Sequence, residues 1–165
     1  MTETPAYSSH AGRNSTFVSM FDELVAFVRG NYSRARKIIE VGAGSRIEIA
    51  ERIKESLPLA EVLVTDKDAS SIRSHRTKHL RAVADDVMFP QTLIYQGASL
   101  IYSIHPPIEI IPAMMKLATA VKADLLVVPR SDEQEAFEKE SWEKITRSGR
   151  TLGWRRVSAE TSRMA

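Results

Sequence analysis

The sequence predicts an α/β protein, with an open and mostly parallel sheet of five to six strands and helices on both faces. Three observations predict it. Short runs rich in β-branched residues alternate along the chain with segments of helical period, the pattern of strands joined by right-handed crossovers. The first such run stops abruptly at Gly42-Ala43-Gly44, as a strand entering a tight turn does. The 165 residues, 43% hydrophobic and 27% charged, suffice for one core between a sheet and its covering helices and leave no room for a second. Residues 15–165 are therefore expected to form a single domain behind a small, polar, fraying tail over residues 1–14.

Each element has its own signal. Phe17, Phe21, Leu24 and Val28, flanked by Val18 and Val25, recur at helical spacing and end at Gly30, so an amphipathic helix comes first. The apolar run at 37–41 is the first strand. Ser45 and Glu48 have the spacing of a capping box, and Ile47, Ala50, Ile53 and Leu57 mark the buried stripe of a helix that stops by Pro58. Next come a strand at 61–65, a short helix at 70–76, strands at 80–84 and 99–104, a helix at 108–121, a strand at 124–128 and a helix at 133–146. Residues 86–97 read as a loop with one helical turn at most. Beyond 128 only one more strand fits, near 154–157, so the sheet is expected to be cut short at its C-terminal end.

Composition excludes several kinds of chemistry. With no cysteine there are no disulfides, thiolate metal sites or cysteine nucleophiles, and a reducing compartment is natural. The first residues lack the basic start and apolar centre of a secretory signal, and the apolar stretch at 108–121 is broken by Glu109, Pro112 and Lys116. A cytoplasmic protein with no membrane partner is expected. His10, His75 and His79 have no ligand-like spacing with acids, so no metal site is proposed. A net charge of +2 with a pI near 9.0 does not by itself argue for nucleic acid.

The residues that carry chemistry collect at strand ends. In an open parallel sheet, ligands bind outside the carboxyl ends of the strands where the strand order reverses. Gly42 and Gly44 allow close approach of a ligand to the backbone, and the helix beyond them aims free amides at an anionic group. A dinucleotide fingerprint would need glycine at position 47, which is Ile47. Asp66 ends the second strand, 22 positions after Gly44, where a carboxylate can hold both hydroxyls of a ribose. Asp85 and Asp86 close the third strand, and one of them can meet an adenine amino group. Glu40 can hold an ammonium group or brace the turn. Singly, each glycine is an ordinary turn and each acid an ordinary cap; in this order and at these strand ends they read together as a cofactor site.

The set Glu40-Val41-Gly42-Ala43-Gly44, Asp66 and Asp85 resembles the first three cofactor motifs of Rossmann-like methyltransferases that use S-adenosylmethionine. The resemblance covers about half the chain. It implies that Gly42, Ala43 and Gly44 lie beside the methionine moiety, Asp66 on the ribose and Asp85 on the adenine. Arg46 stands where that family usually has a third glycine. More narrowly, the run from Leu100 to Pro107 and the short loop before it are similar to a family of uncharacterised archaeal proteins with a methyltransferase-like fold.

Methyl transfer from a sulfonium asks mainly for in-line positioning of the nucleophile, so the catalytic signature can be slight. Ser103-Ile104-His105-Pro106-Pro107 lies at the end of the fourth strand and is similar to the Asn/Asp-Pro-Pro-aromatic motif of amine-methylating enzymes, with His105 and Ile108 replacing its first and last residues. Ser103 and His105 are the candidate catalytic residues, His105 as a base; otherwise the prolines merely end a strand and start a helix. Arg73, His75, Arg76, Lys78, His79 and Arg81, with Arg34, Arg36 and Lys37, are expected to line the opposite edge, where strands begin. They are read there as a solvated edge in preference to a nucleic-acid surface, since no aromatic residue interleaves them. The function expected is therefore that of an S-adenosylmethionine-binding, methyltransferase-like protein, which if it is an enzyme is a small methyltransferase of unknown acceptor. The alternatives are a non-catalytic module that keeps the cofactor pocket and works through a partner or as a sensor, and a nucleic-acid-binding protein that uses the basic edge.

Overall fold

A computed structural model describes residues 14–75 and 79–160, with side chains from residue 20 onward. The chain runs α1 (Asn14–Asn31), β1 (Lys37–Val41), α2 (Glu48–Ser56), β2 (Glu61–Asp66), α3 (Ala69–Ser74), β3 (Arg81–Ala84), α4 (Thr92–Tyr95), β4 (Leu100–Ile104), α5 (Ile111–Val121), β5 (Asp124–Val128), β6 (Glu143–Arg147) and β7 (Arg150–Arg156). Short 3-10 turns lie at Ile108–Ile110 and Gln134–Phe137. The strands form one sheet in the order β3-β2-β1-β4-β5-β7-β6, with β7 antiparallel to both its neighbours.

Both faces of the sheet are covered, which is why its central strands are buried along nearly their whole length instead of alternating. Ile38, Val62, Val64, Leu100, Tyr102 and Leu126 pack with Leu24, Phe27 and Val28 of α1 and Ile53 of α2. Their neighbours in sequence, Ile39, Leu63, Ile101, Leu125 and Val127, point the other way and pack with Met114, Leu117 and Ala118 of α5. The period of two in each strand thus sorts its residues into two cores.

The α/β class holds, while the strand count and one helix need correction. Among the described residues seven strands are present, not five or six, because the segment expected to be a helix at 133–146 contains a 3-10 turn and then β6. Ser148 (φ 50°) and Gly149 (φ 74°) both take left-handed conformations and fold β6 back onto β7 as a tight hairpin. Phe137 stacks edge-on to Trp142 at 5.0 Å, which fixes the segment as an extended cover over the second core. The sheet is therefore not cut short; after β5 it is completed by a hairpin with no long crossover helix. The capping box also fails to form: α2 starts at Glu48, and Ile47 at its N-cap supplies no side-chain bond. The fraying expected over residues 1–14 falls almost wholly outside the described residues, and Asn14 already belongs to α1.

Candidate functional site

Strand order reverses between β1 and β4, so the crevice of this sheet opens at the carboxyl end of β1, where the glycine turn lies. Gly42 (φ 71°) and Gly44 (φ 57°) hold left-handed conformations that cost other residues about 1–2 kcal/mol. The turn is strapped to its neighbours. The Gly42 and Ala43 amides donate to Thr65 O at 2.9 and 3.2 Å, and the Gly44 amide donates to Asp66 Oδ2 at 2.9 Å. On the far side His75 Nε2 lies 2.6 Å from Gly44 O, so that nitrogen carries the hydrogen. A Cβ added to Gly44 would meet nothing within 4 Å, whereas one on Gly42 would come 3.9 Å from Ser103 Oγ. The open face of the turn is at Gly44.

That face looks onto a hollow of about 330 Å³ walled by Glu40, the turn from Gly42 to Arg46, Glu48, Ile104, His105 and Arg130. Glu40 is 3% exposed, and its Oε2 has no hydrogen-bond partner. Burial, with Glu48 adding to it, pushes the Glu40 carboxyl up to about 8, against the opposing influence of the Tyr102 phenol. Tyr102 is its partner across the β1–β4 ladder, and that hydroxyl also lacks a bond of good geometry. A buried polar atom left unpaired costs about 1–3 kcal/mol, so this carboxyl calls for an explanation beyond packing.

The other expected site residues are drawn into the protein's own bonds to different degrees. Asp66 is half-buried; Oδ2 holds the Gly44 amide and Oδ1 the Asp68 amide at 2.9 Å, so it pins the turn and does not wall the hollow. Asp85 is buried, accepting from the Gln91 amide at 3.0 Å and from the Tyr95 hydroxyl at 2.6 Å. Asp86 is the more open of the pair, with Oδ1 on the Met88 amide. Ser103 is 1% exposed and donates to Val41 O at 2.8 Å, which braces the base of the turn and turns the hydroxyl away from the hollow. His105 does face it. Burial first, then Arg130 and Arg46, hold its imidazole below the ordinary value against the opposing Glu133, which favours the neutral ring.

Sequence reasoning misses three participants. Arg130 sits just past the carboxyl end of β5, a position that could have flagged it. His75, expected at the basic edge, instead clamps the glycine turn. Tyr95, which anchors Asp85, has no signal, since a four-residue helix leaves no period to read. At the basic edge Lys37 donates to Gln96 O and Arg81 pairs with Glu61, while Arg76 and Lys78 lie outside the described residues. A larger hollow of about 600 Å³ lies between α5 and residues 156–160, with the Lys122–Glu160 ion pair on its wall, and includes none of the expected site residues. Among the described residues no helix is long and apolar enough to cross a membrane.

A family model described as Uncharacterised protein family (UPF0146) matches residues 20–155. The chain belongs to the UPF0146 family. The UPF0146 protein of Methanothermobacter thermautotrophicus is 31% identical over 144 residues, covering 87% of this chain and all of that one. Its counterpart in Pyrococcus horikoshii is 34% identical over 110 residues, covering 67% of this chain and 82% of that one. Among solved structures, the mitomycin 7-O-methyltransferase MmcR aligns over 87% of this UPF0146 chain with a TM-score of 0.59 at 13% identity. The S-adenosylmethionine-dependent methyltransferase SibL aligns over 87% with 0.57 at 13%. A chain of the fibrillarin/Nop5p complex aligns over 68% with 0.54 at 12%. This chain spans 55% of MmcR, 56% of SibL and 64% of that third chain. At such identities the likeness is one of fold alone.

Proposed function

We propose that this protein binds S-adenosylmethionine in the crevice at the carboxyl ends of β1 and β4, with the amino-acid end of the cofactor in the 330 Å³ hollow. The observation that carries the reading is the unpaired, buried carboxyl of Glu40 below an open glycine turn, with Arg46 and Arg130 on the same walls. Opposite charges are thereby offered to a zwitterion: the carboxyl to its ammonium, the guanidinium groups to its carboxylate. The lone pairs that Asp66 keeps beyond its two amide bonds serve the ribose, and Asp86, more open than Asp85, serves the adenine edge. The bound cofactor would supply an activated methyl group. What this chain adds is position, together with a neutral His105 that takes the proton from an acceptor hydroxyl or amine.

The test is a calorimetric titration of the folded protein with S-adenosylmethionine and S-adenosylhomocysteine, repeated on Glu40→Ala and Gly44→Val. Binding by wild type and its loss in both variants is the expected result. No binding of either ligand to folded wild type overturns the reading. A second reading, a binding module without turnover, is favoured by the inward-facing Ser103, which leaves His105 as the one expected catalytic group at the hollow. Tight binding with no methyl transfer to any fraction of a cell extract would support it.

A further inference from the structure

Beyond the cofactor hollow lies a second one, of about 440 Å³, between the ends of β5 and β7 and the loop after β5. His105 and Arg130 wall both hollows. Asp132 and Gln134 from the loop and Thr151 and Gly153 from β7 complete the second. We propose that this hollow is a separate ligand site for a small organic acid that also carries a hydroxyl or amine.

Three features support it. The Arg130 side chain is exposed and, among the described residues, makes no hydrogen bond or ion pair, and the same holds for the side chain of Asp132 two positions on. A cation and an anion that ignore each other on one wall are available to a ligand with an acid and a donor. Next, His105 holds φ 52° although the residue before a proline is driven toward extended conformations. Such strain costs on the order of 1–3 kcal/mol and collects at functional positions. The His105 amide, donating to Val128 O at 2.7 Å, fixes that posture and sets the side chain on the wall common to both hollows. Finally, Arg130 is the cation on the wall that the two hollows share, with Arg46 on the first, so an acid group is set against Arg130 while Asp132 is left for the ligand's hydroxyl or amine. The claim concerns binding and holds whether or not the first hollow takes S-adenosylmethionine; given that reading, the acid lies next to the cofactor as its acceptor.

The test is a two-dimensional amide NMR titration with three probes of one size: 4-hydroxybenzoate, neutral 4-hydroxybenzamide and cationic tyramine. The acid alone is expected to shift the amides of Ser131, Thr151 and Gly153 saturably, and Arg130→Gln should weaken it at least tenfold. Thr151→Trp should block it while the spectrum remains that of a folded protein. Equal binding of the amide or tyramine, an unchanged affinity in Arg130→Gln, or no binding of any probe overturns the proposal. A parallel titration with S-adenosylhomocysteine separates the two sites. Acid binding without it leaves this proposal standing and removes the cofactor reading, and the reverse outcome does the opposite.

Discussion

Glu40→Gln tests the physical state of the site floor. The folded protein pushes the Glu40 carboxyl up to about 8, while in the unfolded chain it has its ordinary value of 4.5. Below pH 4.5 the group is neutral in both states and favours neither. Between these values the unfolded chain releases its proton and the folded one keeps it, so stability falls by about 1.4 kcal/mol for each pH unit. Above pH 8 both states are ionised, and the accumulated loss is on the order of 5 kcal/mol, a large share of the 5–15 kcal/mol typical of a domain. Glutamine is neutral throughout and fills the same volume. Urea denaturation of both proteins at pH 5, 6, 7 and 8 should therefore give a difference that widens steadily in favour of the variant. Groups that titrate equally in the two proteins cancel from that difference. Parallel profiles for wild type and variant would mean that Glu40 ionises as it does in water, and the account of a dry, unpaired carboxyl would be refuted.

The same linkage governs the ligand. An ammonium placed beside Glu40 requires the ionised form, so affinity for S-adenosylmethionine should rise by up to tenfold per pH unit and level off near pH 8. Calorimetry in buffers of different ionisation heat should show release of close to one proton at pH 7. Tyr95→Phe removes a 2.6 Å bond to buried Asp85, leaving it only the Gln91 amide; a loss of about 1.5–3 kcal/mol is expected in thermal or urea melts. Gly153→Ala would set a Cβ 2.7 Å from Val127 O and 3.3 Å from Leu126 Cδ1, forcing β7 away from β5. That should cost about 1–3 kcal/mol and weaken the binding of 4-hydroxybenzoate, whereas Gly30→Ala, with open space around it, should lose neither.

Most of the parallel half of the fold was legible because its strands are continuous apolar runs and its turns carry glycine or proline. The bounds of β1 and of β5 agree with expectation to the residue. The hairpin was not legible. In β6 only Ile145 is buried, and the charges from Glu133 to Lys144 mimic a solvated helix face, so the period of two is nearly silent there. At the site, residue order placed the glycine turn, Asp66 and Asp85 at the ends of β1, β2 and β3, but did not say where each side chain turns. Whether Asp66 reaches outward or back to Gly44, and whether Ser103 faces ligand or Val41 O, depends on bonds between residues 22 and 62 positions apart. No local pattern encodes these. Arg130 and His75 illustrate the converse: neither was read from the sequence as a site residue, and each gains its place from a strand or turn contributed elsewhere.

The position of β7 between β5 and β6 has a consequence for how the molecule is assembled. The sixth strand has no seat on the sheet until the seventh is laid down beside β5, because β6 touches the rest of the ladder through β7 alone. A nascent chain halted before residue 150 would leave β5 as a bare margin with an unattached tail, open to pairing with a neighbour. Emergence of β7 from the ribosome, not of the glycine turn, would then be the moment at which the β5 margin is covered.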